Sequence, residues 1–524
     1  MYIVNDMEKN IQKPFKGPML LCIVDGFGLR EDAYGNAVKM AKTPTLDQLL
    51  NVHPHSALLT HGEVVGLPSG QMGNSEVGHM TIGSGRTILQ SLDLIQQELK
   101  TDMSQNTVWQ KALKTTEKSD KIHLIGMLSD GGVHSHSDHL LALCEKLQVL
   151  GKPILIHVIL DGRDTKPKAG LTQLKAFIHK IKHLNNVHIA DVCGRFYAMD
   201  RDNNWDRISS AYNLYTKSQA TTTPVLDVME AQYNKGNTDE FIDATAFELP
   251  GGLTSTVENN DSLFFFNFRA DRMRQIVRTF IDTDLKVEGL KRSEKLNVHV
   301  ICITEYDQTF NNRVITLFPP TLPQHTIGEV VASLGGKQLR IAESEKYAHV
   351  TFFLNGGIEK PFVGETRIVI PSPKVKTYDM VPKMSLPQVK DALLDAIENG
   401  DFDLIVLNIA NGDQVGHSGS LVASIEAVEY IDQCLGEITE TLKTADGEMV
   451  LIADHGNCEE MLDANGGICT SHTLNPVPFL YVGRTGFKAQ NGSLKDVAPT
   501  ILNLMNIKVP ALMTGKNLLM RKDV

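Results

Sequence analysis

Aspartates and histidines recur in this chain where apolar runs stop, and their types suit a site for hard cations. MLLCIV (19–24) ends at Asp25-Gly26, and DLIVLNIA (403–410) ends at NGDQVGH, which holds Asp413 and His417. EMVLIA (448–453) ends at Asp454-His455-Gly456, and TSHTLNPVPFLYV sets His472 just ahead of another run. One Asp-Gly pair is ordinary turn chemistry. Three aspartates and three histidines in equivalent positions are more than turns require. Carboxylate and imidazole donors without thiolate favour Mn²⁺, with Mg²⁺, Co²⁺ or Zn²⁺ as alternatives. So many side chains exceed the needs of one tetrahedral ion and suit two ions sharing substrate and water. Asp413 and His417 fit one helical face, while Gly412 and Gly416 fit a loop equally well.

Ser75 stands in QMGNSEVGH (71–79), between Gly73, Asn74, Glu76 and Gly78. A serine among so little bulk is a turn residue or an exposed nucleophile. The candidate metal centre favours the second reading. A metal lowers the pKa of a bound hydroxyl, so Ser75 needs no histidine base in order to attack.

A second set of runs ends in different chemistry. KIHLIGML (121–128) leads to SDGGVHSHSDH, and ILIHVIL (154–160) to Asp161-Gly162-Arg163-Asp164. VHIADVC (187–193) leads to Gly194-Arg195, with Arg201 following, and SLFFFNF (262–268) ends at Arg269. Arg272 is expected one helical turn after Arg269, on the same face. Arginine's planar fork binds carboxylate and phosphate through paired hydrogen bonds. Its recurrence at one end of several strands points to an anionic substrate. HSHSDH, with His134, His136 and His139, fits a metal site, a helix N-terminal cluster, or one catalytic imidazole with bystanders; spacing does not decide between them.

Short apolar runs alternating with helical patterns predict mostly parallel sheets covered by helices, an α/β class. In such sheets ligands collect at the carboxyl ends of the strands. At 524 residues, two or more domains are expected. Metal-type residues come early and late, with the arginine strands between. This predicts a discontinuous metal-binding domain, 1–88 plus 320–524, with a second α/β domain, 89–319, inserted. SGRTILQS (84–91) and the proline-rich LFPPTLPQ (317–324) are the expected crossings. The two strand edges are expected to face each other across a hinged cleft.

A net charge of −11 argues against a nucleic-acid partner. The first residues, MYIVNDMEKNIQKPFKGP, lack an apolar run, so neither a signal peptide nor a membrane span is expected there. Seven scattered cysteines without CxxC spacing fit reduced thiols in a cytoplasm, with Cys22, Cys193 and Cys302 expected inside apolar strands.

Taken in order, VDGFG, QMGNSEVGH, DGGVHSHSDH, LDGRDT, GRFYAMDRD, FNFRADR, AESEKY, NGDQVGH, ADHGN and TSHTLNPVPF resemble the cofactor-independent phosphoglycerate mutases of the alkaline phosphatase-like superfamily. The resemblance runs through nearly the whole chain. It implies an isomerase of glycolysis and gluconeogenesis that interconverts 3-phosphoglycerate and 2-phosphoglycerate without 2,3-bisphosphoglycerate. It implies a phosphoserine at Ser75. One Mn²⁺ would sit on Asp413, His417 and His472, the other on Asp25, Ser75, Asp454 and His455. It places Arg163, Arg195, Arg201, Arg269 and Arg272 on substrate carboxylate and phosphate, with His134 and Asp164 beside the glycerate hydroxyls. Lys346 would offset phosphoryl charge near Ser75, and Asp164 is the candidate general base. A monomeric, cytoplasmic protein with no membrane or nucleic-acid partner is implied as well. The motifs depart from the commoner pattern at Gln414, Ala270 and Cys458, none of which removes a proposed ligand.

Two rival readings remain at this level. A metal-dependent phosphatase, or another phosphomutase such as a phosphopentomutase, would share the metal residues; LDGRDT and GRFYAMDRD suit a small, doubly anionic substrate better than a sugar. A non-catalytic metal-dependent binding protein would be expected to have lost a ligand or the nucleophile, and all are present.

Overall fold

The computed structural model describes residues 11–292, 295–319 and 322–522. Residues 1–10 of the N-terminal segment, and Pro320 and Thr321 of the expected second crossing, lie outside the described residues. The chain divides into two compact units, Met1–Gln90 with Leu322–Val524, and Ser91–Thr321. Both are α/β.

The first unit is built on an eight-stranded sheet. Its order is Glu365–Ile370, Gln338–Glu343, Leu404–Ile409, Met19–Val24, Glu448–Ile452, Val477–Val482, His55–Leu59 and Gly492–Ser493. The first five strands run parallel, and Val477–Val482 opposes both its neighbours. Every residue of Met19–Val24, Gln338–Glu343, Leu404–Ile409 and Glu448–Ile452 is buried. That is why Met19–Val24, Leu404–Ile409 and Glu448–Ile452 read as mostly apolar runs: helices cover both faces, and neither face meets water. Gln338–Glu343 differs, burying Arg340 with a hydrogen bond to Gln338 Oε1. Helix Leu421–Thr444 contributes Val428, Ile431, Leu435, Ile438 and Leu442 to the same core, at helical spacing. Truncating one such residue, as in Leu407→Ala, costs about 2–5 kcal/mol.

Parallel strands bring their carboxyl ends to one edge, so the residues just beyond them are neighbours. Asp25 follows Met19–Val24, Lys346 follows Gln338–Glu343, and Asp454 and His455 follow Glu448–Ile452. Because Val477–Val482 runs the other way, the segment leading into it, with His472, reaches the same edge. Asp413 lies on the short helix Asn411–Gly416 and His417 caps its end, so the helical alternative holds. Ser75 opens helix Ser75–Ser84, where the side chain of Asn74 accepts from Val77 N. The loop ends touch closely. A Cβ on Gly26, whose φ is +71°, would lie 2.5 Å from Asp413 Cα. Glycine is required there by both conformation and space.

The second unit also has an eight-stranded sheet, ordered Ile315–Thr316, His299–Cys302, Ser262–Phe265, Ile122–Leu128, Ile154–Leu160, Val187–Gly194, Thr245–Phe247 and Ala220–Thr221. The first six run parallel. Alternate residues serve two cores: Ile122, Leu124 and Leu128 face one, Ile125 and Met127 the other. Arg163, Arg195 and Arg201 follow strand ends as expected.

Arg269 and Arg272 do not share a helical face. The strand stops at Phe265 and the next helix starts at Arg274, so both arginines lie in the irregular stretch between. The cause is local: Phe268 N and Arg269 N donate to His134 O, and Asn267 Oδ1 accepts from Met127 N. The segment bonds to a neighbouring loop and strand in place of its own preceding turn.

Candidate active site

At the strand edge of the first unit, Lys346 Nζ lies 2.7 Å from Asp25 Oδ1, 2.7 Å from Asp413 Oδ2 and 2.8 Å from Ser75 Oγ. Ser75 Oγ is 3.0 Å from His455 Nε2 and 3.3 Å from Asp25 Oδ1. His417 Nε2 and His472 Nε2 each lie 3.2 Å from Asp413 Oδ1. His455 Nε2 is 3.5 Å from Asp454 Oδ2 and 3.6 Å from Asp25 Oδ1. Among the described residues, three triads bring ligand atoms within 4.8 Å of one another: Asp413, His417 and His472; Asp25, Asp413 and His455; Asp25, His79 and Asp454.

Burial and charge pull these groups in different directions. Burial pushes the Asp25 carboxyl up, but the Lys346 ammonium together with the rings of His455 and His79 holds the group below the usual range. At Asp413 burial is opposed by Lys346, by hydrogen bonds from His417 and His472 and by His455, which together hold it well below. Asp454 goes the other way, raised by burial and by the charge of Asp25. The hydrogen bond to Asp413 raises His417, and at His472 that bond, the Asp413 charge and the Gly73 carbonyl together outweigh the lowering effect of burial.

The donor set fits divalent cations. Three buried carboxylates face one buried ammonium, which leaves an excess of negative charge, and the buried Asp454 Oδ2 has no hydrogen-bond partner. Oxygen and imidazole nitrogen are hard to borderline donors suited to Mn²⁺, Mg²⁺, Co²⁺ and Zn²⁺.

Three neighbours of this site escaped the sequence reading. His79 is fully buried, and burial pushes its ring down to about 4. Asn408 donates to Asp25 Oδ2 at 2.8 Å. Glu459 accepts from Gly28 N at 2.9 Å, from Asn457 N at 2.8 Å and from Thr473 Oγ, joining the loops that carry Asp25, His455 and His472. Asn408 had one visible mark, an amide within an apolar strand run. Of the unusual residues, Gln414 donates to Asp413 Oδ2 at 3.3 Å, Cys458 is buried, and Ala270 packs against the second unit's core.

In the second unit, buried Arg195 donates to Asp161 Oδ1 at 2.8 Å and to Asp164 Oδ2 at 2.5 Å. Asp161 is fixed by Ser129 Oγ and by the backbone N–H groups of Arg163 and Asp164. Arg201 Nη1 meets Asp271 Oδ2 at 2.7 Å, and Arg269 Nε lies 3.4 Å from Asp271 Oδ1. Burial and the charges of Arg195 and Arg201 lower the pKa of Arg272, whose Nη1 donates to Met199 O at 3.0 Å. Arg163 is the most open of the group, with Glu240 at 3.9 Å. Asp271, set between Arg269 and Arg272, is a further residue the sequence reading missed.

The three histidines of HSHSDH separate in space. His134 sits between Asp164 at 3.8 Å and Asp271 at 3.8 Å, and burial, with Arg195, pushes its ring down to about 4. His136 caps helix Ser137–Leu147 by accepting from Asp138 N, and His139 Nε2 lies 3.1 Å from Leu92 O. Among the described residues no candidate metal triad includes any of them.

Comparison with known proteins accords with this geometry. Residues 17–509 match the Metalloenzyme superfamily. A 2,3-bisphosphoglycerate-independent phosphoglycerate mutase of Syntrophotalea carbinolica is 47% identical over 510 residues, covering 96% of this chain and 98% of the relative. One of Yersinia pseudotuberculosis is 45% identical over 511 residues, with the same coverage of each. The crystal structure of Leishmania mexicana phosphoglycerate mutase at low cobalt concentration is similar with a TM-score of 0.57 and 27% identity, covering 98% of this chain and 100% of that one. Among the described residues no helix is long and apolar enough to cross a membrane. On this identity and coverage the chain belongs to the family of 2,3-bisphosphoglycerate-independent phosphoglycerate mutases.

Proposed function

We propose that this chain is an isomerase that interconverts 3-phosphoglycerate and 2-phosphoglycerate through a phosphoserine at Ser75, without 2,3-bisphosphoglycerate. The observation that carries the reading is Ser75 Oγ held at 2.8 Å from Lys346 Nζ and 3.0 Å from His455 Nε2, at the N-terminus of its helix. A helix N-terminus and an ammonium both favour negative charge on that oxygen. The reading makes 1–88 and 320–524 the metal-binding, phosphoryl-accepting domain and 89–319 the substrate-binding domain.

Asp413, His417 and His472 would hold one ion, and Asp25, Ser75, Asp454 and His455 a second, with Mn²⁺ as the native metal. Bound there, two divalent cations supply positive charge against a transferring phosphoryl group and lower the pKa of a coordinated hydroxyl. Ser75 Oγ, deprotonated, attacks phosphorus as the phosphate–glycerate C–O–P bridge breaks on its phosphorus side, the glycerate oxygen keeping the electron pair, and Lys346 offsets the charge that builds on the phosphoryl oxygens. The arginines keep glycerate by its carboxylate, so it reorients without leaving. Its other hydroxyl then attacks the phosphoserine as the Ser75 O–P bond breaks and Ser75 Oγ leaves with the electron pair. The proton of that hydroxyl passes through Asp164, whose position Arg195 fixes, to the glycerate oxygen that lost the phosphoryl group. Water excluded from the serine ester keeps the reaction a mutation and not a hydrolysis. The same reading carries a monomeric protein in the cytoplasm.

Acid quenching of the Mn²⁺-loaded protein with either phosphoglycerate, followed by mass spectrometry, tests this. A phosphorylated peptide at Ser75, absent from an inactive Ser75→Ala protein that still takes up metal, is expected. Turnover by Ser75→Ala contradicts it.

A further inference from the structure

His79 lies one turn after Ser75 on the same helix, and its whole ring is buried. Its Nδ1 is 2.8 Å from Ser75 O and 3.5 Å from Asp454 Oδ2. Its Nε2 is 3.1 Å from Asn408 Nδ2, and the same amide nitrogen is 2.8 Å from Asp25 Oδ2.

The chemistry of these four groups allows one arrangement of protons. Asp25 is ionised and only accepts, so the Asn408 atom facing it is the NH₂. An NH₂ has two protons, one for Asp25 Oδ2 and one for His79 Nε2. The Nε2 atom therefore accepts, the Nδ1 atom bears the ring proton, and that proton goes to Ser75 O. Turning the amide over would set its oxygen against the Asp25 carboxylate. With both ring nitrogens engaged by protein groups, His79 has no lone pair free for a cation, although its triad with Asp25 and Asp454 has ligand-like spacing.

We infer that His79 and Asn408 are positioning residues for the reaction: they form a continuous bracket from the carboxylate of Asp25 to the backbone carbonyl of Ser75, holding the first turn of the helix so that Ser75 Oγ stays aimed. The inference rests on Ser75 as the phosphoryl acceptor. Its logic is that of groups which orient an active side chain through a second hydrogen bond, whose loss costs about ten- to a hundredfold in activity. A displacement of a reacting atom by about 1 Å has a similar effect.

The test compares His79→Leu, which removes both bonds, with His79→Asn, whose side-chain NH₂ can take over the donation to Ser75 O. Steady-state kinetics and Mn²⁺ uptake by equilibrium dialysis are measured for both, beside Ser75→Ala. The expected result is a kcat at saturating Mn²⁺ lower by about ten- to a hundredfold in His79→Leu, with KM unchanged and most of the kcat regained in His79→Asn. A kcat of His79→Leu that returns to the wild-type value in excess Mn²⁺ would mean that only metal binding had been lost, and overturns the inference. Wild-type kcat in His79→Leu beside an inactive Ser75→Ala overturns this inference alone; turnover by Ser75→Ala overturns it together with the nucleophile reading. If His79→Leu fails to fold, long-range ¹H–¹⁵N spectra of Mg²⁺-loaded wild-type protein with ¹⁵N-labelled histidine rings decide. One ring, absent from the His79→Asn spectrum, is expected as the Nδ1–H tautomer with an accepting Nε2, and an Nε2–H or metal-bound ring overturns the bracket.

Discussion

Lys346 is the residue on which the charge balance of the metal-free site turns. Its ammonium is buried against Asp25, Asp413 and Ser75, and the carboxylates raise its pKa against the effect of burial. Removing one partner of a buried ion pair leaves the other charge uncompensated, at about 3–5 kcal/mol. Lys346→Met is therefore expected to lower the denaturant midpoint of metal-free protein, with Mn²⁺ restoring much of it; a midpoint unchanged without metal would show the carboxylates to be compensated otherwise. Arg269 belongs to the grip on substrate proposed above. Arg269→Ala is expected to loosen glycerate and raise the ratio of inorganic phosphate released to phosphoglycerate isomerised. An unchanged ratio counts against retention by the arginines. Most of the residues legible in the sequence were those at strand ends, where polar side chains break an apolar run; Ser75 was marked by its small neighbours, and Lys346 only by the family resemblance. His79 and Asn408 were not legible, because each sits inside an element, and the link between them, and from Asn408 to Asp25, is a tertiary contact.

At the scale of elements, one irregularity orders the second sheet. Strands Ile154–Leu160 and Val187–Gly194 pair Ile156 with Ile189 and then His157 with Asp191, so Ala190 is an extra residue, a bulge. The bulge turns Asp191 to the face of His157, and they meet at 2.5 Å. His157 Nε2 lies 2.7 Å from His123 Nδ1, and His123 Nε2 lies 3.0 Å from Asp261 Oδ2, all fully buried. A polar chain thus crosses the sheet within an apolar core, and the bulged strand it fixes ends at Arg195. Asp191→Leu leaves His157 Nδ1 unpaired and is expected to cost about 1–3 kcal/mol, with a smaller loss for Asp191→Asn. Equal losses for both would show that shape, not the hydrogen bond, matters. The apolar runs made the strands readable, but a bulge has no mark in VHIADVC. Arg269 and Arg272 were misplaced on a helix for a related reason: their backbone N–H partners lie on another loop.

At the scale of the whole molecule, the alternation of apolar runs with helical patterns made the α/β class legible, and burial on both faces explains why. What pattern cannot show is where buried titratable rings end up. Burial pushes His123 and His139 each down to about 4. Their folded pKa lies below the unfolded value near 6.5. Between pH 6.5 and about 4 the folded chain then binds fewer protons than the unfolded one, and stability falls as pH falls through that window. The urea midpoint is expected to drop accordingly. His139→Gln, whose amide can still donate to Leu92 O, should drop less steeply; identical slopes would contradict the assignment of buried, neutral rings.

The central claim, metal-dependent mutation by a chain carrying its own phosphoryl acceptor, is tested most directly by stripping the protein of metal and supplying 3-phosphoglycerate without 2,3-bisphosphoglycerate. The prediction is that 2-phosphoglycerate forms only after Mn²⁺ is returned. Formation of 2-phosphoglycerate by the stripped protein, or release of inorganic phosphate and glycerate in its place once Mn²⁺ is present, would contradict it.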